Sequence, residues 1–152
     1  MSELTSNTSV AFLRALAVDD ALIDQLSSLP FSQTGTRRIC LHESEASPLH
    51  AMLVESKSDV SFPPHFHSDS DEVSVAIVGQ LELLVWNEGA DKKPERIVLG
   101  RGPGNSQVSI VPVGVTHLTK AISENCVYLE VKLGPFEKNA LVPVDSEGLA
   151  GL

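Results

Sequence analysis

The stretch Phe62 to Gly79, FPPHFHSDSDEVSVAIVG, constrains this chain more than any other, because it sets three metal-competent side chains, His65, His67 and Glu72, within one short run. Successive side chains of a β-strand point to opposite faces, so an H-x-H pair sends both imidazoles to one side and Phe66 to the other. The SDSD that follows has turn chemistry, and Glu72 opens VSVAIV, a β-branched strand that stops at Gly79. A turn between two antiparallel strands would swing Glu72 back beside the histidines. A second stretch, VPVGVTH, completes the set: Pro112 and Gly114 force a tight bend, and His117 follows at the start of the strand-like run HLTKAI. Three neutral imidazoles and one carboxylate suit a single divalent transition metal ion, with positions left for water, substrate or dioxygen. Fe, Mn, Ni, Co and Zn all accept such donors, and affinity order does not choose among them.

At 152 residues the chain is long enough to bury a core without disulfides or a structural metal, so an ion held by these residues is expected to be functional. Hydrophobic residues make up 42% and charged residues 20%, which argues against global disorder. The net charge of -9, with 11 Lys and Arg, disfavours nucleic acid and acidic membrane surfaces, since phosphate binding needs a basic face. Two cysteines, Cys40 and Cys126, are too few for a secreted disulfide framework, and the start MSELTSNTSVAFLRALAVDD lacks a basic segment leading into a long apolar run. The expectation is a cytoplasmic protein acting on a small molecule, with no nucleic-acid or membrane partner.

Met1 to Ser9 are polar and read as a loose lead-in. From Val10 to Leu29 apolar residues recur at helical spacing (Leu13, Leu16, Leu22, Ile23, Leu26), with Asp19 and Asp20 suited to a helix start and Pro30 to its end. An amphipathic helix packed outside a barrel is predicted. RRICLH and HAMLVES then read as two strands around the polar turn ESEASP. Arg38, Cys40 and His42 share one face of the first: if it faces inward, a cation and an imidazole approach the metal pocket, and otherwise Arg38 is a surface ion-pair residue and His42 an edge histidine. QLELLVWN and RIVLGRGPGNSQVSIVP flank the hairpin-like EGADKKPE, and the glycines from Gly100 to Gly104 read as a turn, since no helix or P-loop pattern follows them. Trp86, the single tryptophan, is expected in the core or at an interface.

In NCVYLEVKLGPF, alternation puts Tyr128, Glu130 and Lys132 on one face and Val127, Leu129 and Val131 on the other. A polar inner face would supply substrate contacts or proton transfer near the metal; an apolar inner face would leave the three polar residues solvated. In VSVAIV, Ser74, Ala76 and Val78 share the parity of Glu72 and are expected inward, which leaves Val73, Val75 and Ile77 outward. An apolar outer face implies a cover, and a second copy of the chain, a homodimer, is the simplest one. Eight or nine short strands at regular spacing, with one helix in front, predict an all-β, double-sheet jelly-roll barrel. The expected division is 1–36 for the helix and lead-in, 37–136 for the barrel, and 137–152 for a weakly patterned tail.

The spacings H-x-H-x4-E-x6-G and P-x-G-x2-H resemble the two motifs of the cupins, with every metal-ligand position filled by His65, His67, Glu72 and His117. Ala121 stands where many cupins carry Asn four residues after the last histidine. From about Arg37 to Phe136 the chain is similar to the WbuC family of cupin-fold metalloproteins, through the R-x-x-x-H of Arg38 and His42 and the closing EVKLGPF of Glu130 to Phe136; Cys40 stands where that family typically has Asn. The resemblance implies a small single-domain cupin with one metal site. It also implies a setting among bacterial surface-polysaccharide genes, without specifying a reaction.

Two functions follow as expectations. One is an enzyme in which a metal-bound oxygen-bearing small molecule undergoes dioxygenase-, isomerase- or decarboxylase-like chemistry, with Tyr128, Glu130 and Lys132 as catalytic candidates and Arg38 and His42 as substrate contacts. The alternative is a module that binds or senses a sugar or carboxylate without turning it over. The fold alone does not separate them.

Overall fold

The computed structural model describes residues 17–152 together with the two-residue strand Thr8–Ser9. The predicted helical positions Leu13 and Leu16 lie outside the described residues. Helix α1 spans Asp20–Ser28 and begins where Asp19 caps it, its carboxylate accepting from the Leu22 amide at 3.0 Å. The helix ends at Leu29, ahead of Pro30. Leu22, Leu26 and Leu29 pack on Ile39, Leu53 and Val127, so the helix covers one half of a sheet from outside, as its periodicity predicts.

The strands are β1 (Thr8–Ser9), β2 (Thr36–Cys40), β3 (Leu49–Lys57), β4 (His65–His67), β5 (Glu72–Val78), β6 (Leu81–Val85), β7 (Glu95–Leu99), β8 (Val108–Val111), β9 (His117–Ala121), β10 (Asn125–Leu133) and β11 (Leu141–Pro143). They form two sheets, β1-β2-β3-β10-β5-β8 and β11-β4-β9-β6-β7, antiparallel except for the β1–β2 pair. This is the double-sheet jelly roll that the number and spacing of the strands predict. Leu81, Leu83, Val85 and Leu99 of one sheet meet Val54, Val111, Cys126 and Tyr128 of the other to make the core between the layers. Gly79, between β5 and β6, has φ +71 and backbone so close that a Cβ would lie 2.0 Å from the Asn125 carbonyl oxygen, so only glycine fits this turn.

Three local readings are revised. β4 and β5 do not pair as a hairpin: they lie in different sheets, so Glu72 reaches the histidines by a corner that crosses from one layer to the other. Val78 is not an inward residue. A register shift at Val127 and Tyr128 breaks the parity near the end of β5, and both Ile77 and Val78 are exposed there. The stretch 137–152 holds a strand that its weak patterning did not predict: β11 pairs with β4, with Leu141 opposite His67 and Pro143 opposite His65. Beyond it Leu149 packs on Trp86, whose indole N–H donates to the Ala150 carbonyl at 3.1 Å. Trp86 therefore seals the outer face of the five-stranded sheet.

Cys40 and Cys126 are free thiols, and burial, reinforced by the Glu55 charge, pushes Cys126 up to about 12. Among the described residues no helix is long and apolar enough to cross a membrane. The helix-covered half of the sheet depends on Leu26, which is fully buried, whereas Leu133 is 61% exposed. Urea unfolding is expected to show Leu26→Ala destabilised by about 2–5 kcal/mol and Leu133→Ala within about 0.5 kcal/mol of the parent.

Candidate metal centre

Parity and two bends assemble the site. β4 sends His65 and His67 inward and Phe66 outward, and β9 pairs with it so that His117 lies directly opposite His65. The Pro112–Gly114 bend is tied down on both sides of the site: the Gly114 amide donates to the His67 carbonyl at 2.8 Å, and the Val113 amide donates to the Asp71 carboxylate at 2.9 Å. Asp71 thereby anchors the SDSD corner to the loop that delivers His117, one residue before Glu72 enters β5. Three imidazoles from one sheet and a carboxylate from the other converge between the layers.

Ligand-capable atoms of His65, His67, Glu72 and His117 all lie within 4.8 Å of one another, and all four residues are buried. Donors bound to one transition metal at about 2.0–2.2 Å lie no more than about 4.4 Å apart, so only a slight contraction seats an ion. The nitrogens are prepared for it. The Nδ1–H of His65 donates to the Pro63 carbonyl at 2.8 Å and that of His117 to the Val115 carbonyl at 3.0 Å, which leaves Nε2 of each as the bare nitrogen. His117 Nε2 is buried without a hydrogen-bond partner, its approach to Glu72 Oε1 being a long 3.5 Å. His67 Nε2 lies 2.7 Å from Glu72 Oε2. An unpartnered buried imidazole nitrogen aimed at a buried carboxylate fits a cation between them.

Charge follows the same geometry. Burial works to raise Glu72, but hydrogen bonding and charge from His117 and His67 outweigh it and hold the carboxyl well below its usual range. Burial also works to lower His117, yet Glu72 raises it on balance; His65, with burial dominant, is lowered. The carboxylate form of Glu72 is therefore the resident form at neutral pH, which is the form that ligates.

The centre opens into a cavity of about 370 Å³, at the small end of ligand pockets. The face of β10 that carries Tyr128, Glu130 and Lys132 lines it, so the polar row faces inward. Arg38 and His42 line it as well, with Cys40 between them. The sequence reading missed His50, which also lines the cavity and stacks on His42 with ring centroids 4.0 Å apart. The only local signal was its strand parity with Met52 and Val54; its place opposite Lys132 comes from the register of β3 on β10. Burial, more than any other cause, lowers His42.

Glu130 is the unusual acid. Burial raises it and the Glu72 charge raises it further, while Lys132 and Arg38 draw it back, leaving it at about 8. A glutamate that titrates near 4.5 when unfolded then binds its proton more tightly in the folded protein, so this stabilisation is complete below 4.5 and is lost as pH rises towards about 8. Glu130→Gln removes that dependence. On chelator-treated protein, urea unfolding is expected to show the variant gaining on the parent by up to about 1.4 kcal/mol per pH unit across this window, and parallel pH profiles would disprove it.

Comparison with solved structures agrees with the architecture. KdgF from Halomonas sp. matches with a TM-score of 0.51 at 17% identity, over 69% of this chain and 84% of its own. A cupin-2 domain containing protein from Shewanella frigidimarina matches with a TM-score of 0.54 at 19% identity, over 74% of this chain and 92% of its own. Oxalate decarboxylase from Bacillus subtilis matches with a TM-score of 0.57 at 20% identity, over 72% of this chain but only 27% of its own, so the chain spans about a quarter of that enzyme's length. At these identities the likeness is one of fold. No curated protein matches the chain in sequence.

Fold and buried cluster together define a small barrel of the cupin fold with a site able to hold a metal ion. Within that class the chain belongs to the family described as Domain of unknown function (DUF6016), which matches residues 18–98. The matched stretch takes in His65, His67 and Glu72 and ends before His117.

Proposed function

We propose that this chain is a mononuclear metal-dependent cupin enzyme acting on a small oxygen-bearing molecule, with His65, His67, Glu72 and His117 as ligands. The observation that carries the reading is the buried four-donor cluster opening on a cavity lined by Arg38, His42, Tyr128, Glu130 and Lys132. A bound divalent ion supplies Lewis-acid polarisation of a substrate oxygen. Beside it, Glu130, whose burial favours the protonated form, is the residue for proton transfer, Tyr128 and Lys132 flank it on the same strand, and Arg38 and His42 contact substrate from the β2 side of the same sheet. The ion is one of Fe, Mn, Ni, Co or Zn, and the Mn(II) centres of Bacillus subtilis oxalate decarboxylase add weight to Mn.

Within the cupins the reading extends to a WbuC-like protein, supported by the residues of that resemblance: Arg38, His42, Glu130, Lys132 and Phe136 all border the same cavity. Two free thiols fit a cytoplasmic setting. Exposed Val108, Ile110 and Leu133 on the outer side of the six-stranded sheet support a homodimer, for which light scattering on the eluted peak is the check.

Elemental analysis by mass spectrometry of protein purified without an affinity tag tests the central claim. About one equivalent of transition metal is expected, and it is expected to disappear in the His65→Ala/His117→Ala double variant. Absence of metal from both would remove the metal reading. Glu72→Ala is expected to lose metal while Glu82→Ala, altered at an outer ion pair with Arg96, keeps it; equal retention would take Glu72 out of the ligand set. Protons compete with metal for three imidazoles, so occupancy is expected to fall below about pH 6, and full occupancy after dialysis at about pH 5 would contradict the site.

A further inference from the structure

The inward side chains of the six-stranded sheet stand in cross-strand rows. Arg38 lies opposite Val54, which lies opposite Tyr128; Cys40, Met52, Glu130 and Ser74 form the next row; His50, Lys132 and Glu72 the one after. The two neighbouring arginines of β2 meet different fates. Arg37 points outward and is fully engaged, pairing with Glu55 through two hydrogen bonds of 2.9 and 2.8 Å and donating to the Leu29 carbonyl at 2.7 Å. Arg38 borders the cavity, and among the described residues neither it nor Lys132 forms an ion pair with a carboxylate. Both cations act on Glu130, which stands between their rows.

Two unpaired cations in a confined cavity have a chemical consequence. With a divalent ion in place, positive charge along the wall exceeds negative charge even when Glu45, Glu72 and Glu130 are all ionised. A neutral sugar gains nothing from that excess, whereas an anion gains charge-assisted hydrogen bonds from an arginine fork and an ammonium. A phosphate dianion fits poorly: the wall is made of strands whose amides are spent in the sheet ladders, so no backbone cradle is offered, and Glu130 stands close by. Met52, Val54, Phe62, Phe136 and Leu141 add an apolar portion of the lining that suits a short carbon skeleton.

We propose that the cavity selects a small organic acid, its carboxylate held by Arg38 and Lys132 and its remaining oxygen turned towards the four-residue cluster. This rests on the metal-centred pocket described above and names the class of its substrate.

The test is isothermal titration of the full chain, at fixed ionic strength, with three acids and their methyl esters: pyruvate, glycolate and benzoate. Metal content is measured on every sample. The acids are expected to bind about tenfold or more tightly than their esters, and Arg38→Gln and Lys132→Gln are each expected to erase most of that preference, while Lys92→Gln, altered on an exposed loop, leaves it intact. Lack of acid-over-ester preference in all three pairs overturns the inference. So does a preference that survives in the Arg38→Gln/Lys132→Gln double variant, or inorganic phosphate that binds as tightly as the acids. A metal-free parent protein whose preference still depends on Arg38 and Lys132 sinks the metal reading and supports this one; a metal-loaded parent without preference does the reverse.

Discussion

Everything in this barrel defers to one arrangement, a carboxylate from one sheet buried against three imidazoles from the other. Burying an ionised group without compensation is among the most expensive things a fold does. Glu72 avoids that penalty only because His67 and His117 come within reach, and they do so only if both sheets hold their registers. A one-residue slip of β4 would turn Phe66 inward and both of its histidines to the outside. The register is fixed from three directions: by β9, which sets His117 opposite His65, by β11, which pairs along the other edge of β4, and by Gly114, whose amide holds the His67 carbonyl.

The parts of the molecule that look peripheral serve the same end. The C-terminal stretch is an edge strand beside the two histidines, anchored further out where Leu149 and the Ala150 carbonyl meet Trp86. Asp71, an acid that a glance at SDSD assigns to a generic turn, holds the bend that presents His117. Helix α1 closes the outside of β2 and β3, so the cavity-facing side of those strands is backed by a packed layer.

What was legible in the sequence follows from this division. Metal donors have few chemical substitutes and must obey strand parity, so the four cluster residues and the bend before His117 stand out in the linear chain, whereas alternation in β10 left open which of its faces turns inward. The jelly roll follows from the count and spacing of strands, and α1 from Asp19 and its leucines. Long-range pairing is a different matter. Nothing local to Leu141–Pro143 distinguishes a sheet-edge strand from a loose tail, and nothing local to SDSD says that the chain changes sheets there. His50 was obscured because its role depends on lying opposite Lys132, a relation between residues far apart in sequence. Val78 misled because parity counting assumes an unbroken ladder, and the irregularity at Val127 and Tyr128 breaks it.

The pair Arg37-Arg38 shows how a two-residue period separates stability from function within a single dipeptide. One arginine is consumed by Glu55 and a helix-terminal carbonyl, tying the covering helix to the sheet. The other, one residue on, passes through to the cavity and keeps its charge uncommitted. A fold that needed Arg38 only for packing would have given it a carboxylate, as it gave one to Arg37. The nearest inward acid instead stands at Glu130, where burial favours the protonated form and blunts its competition for the arginine. The cavity thus keeps cationic donors available beside a cluster able to hold a metal ion, the arrangement on which the proposal of an anionic ligand rests.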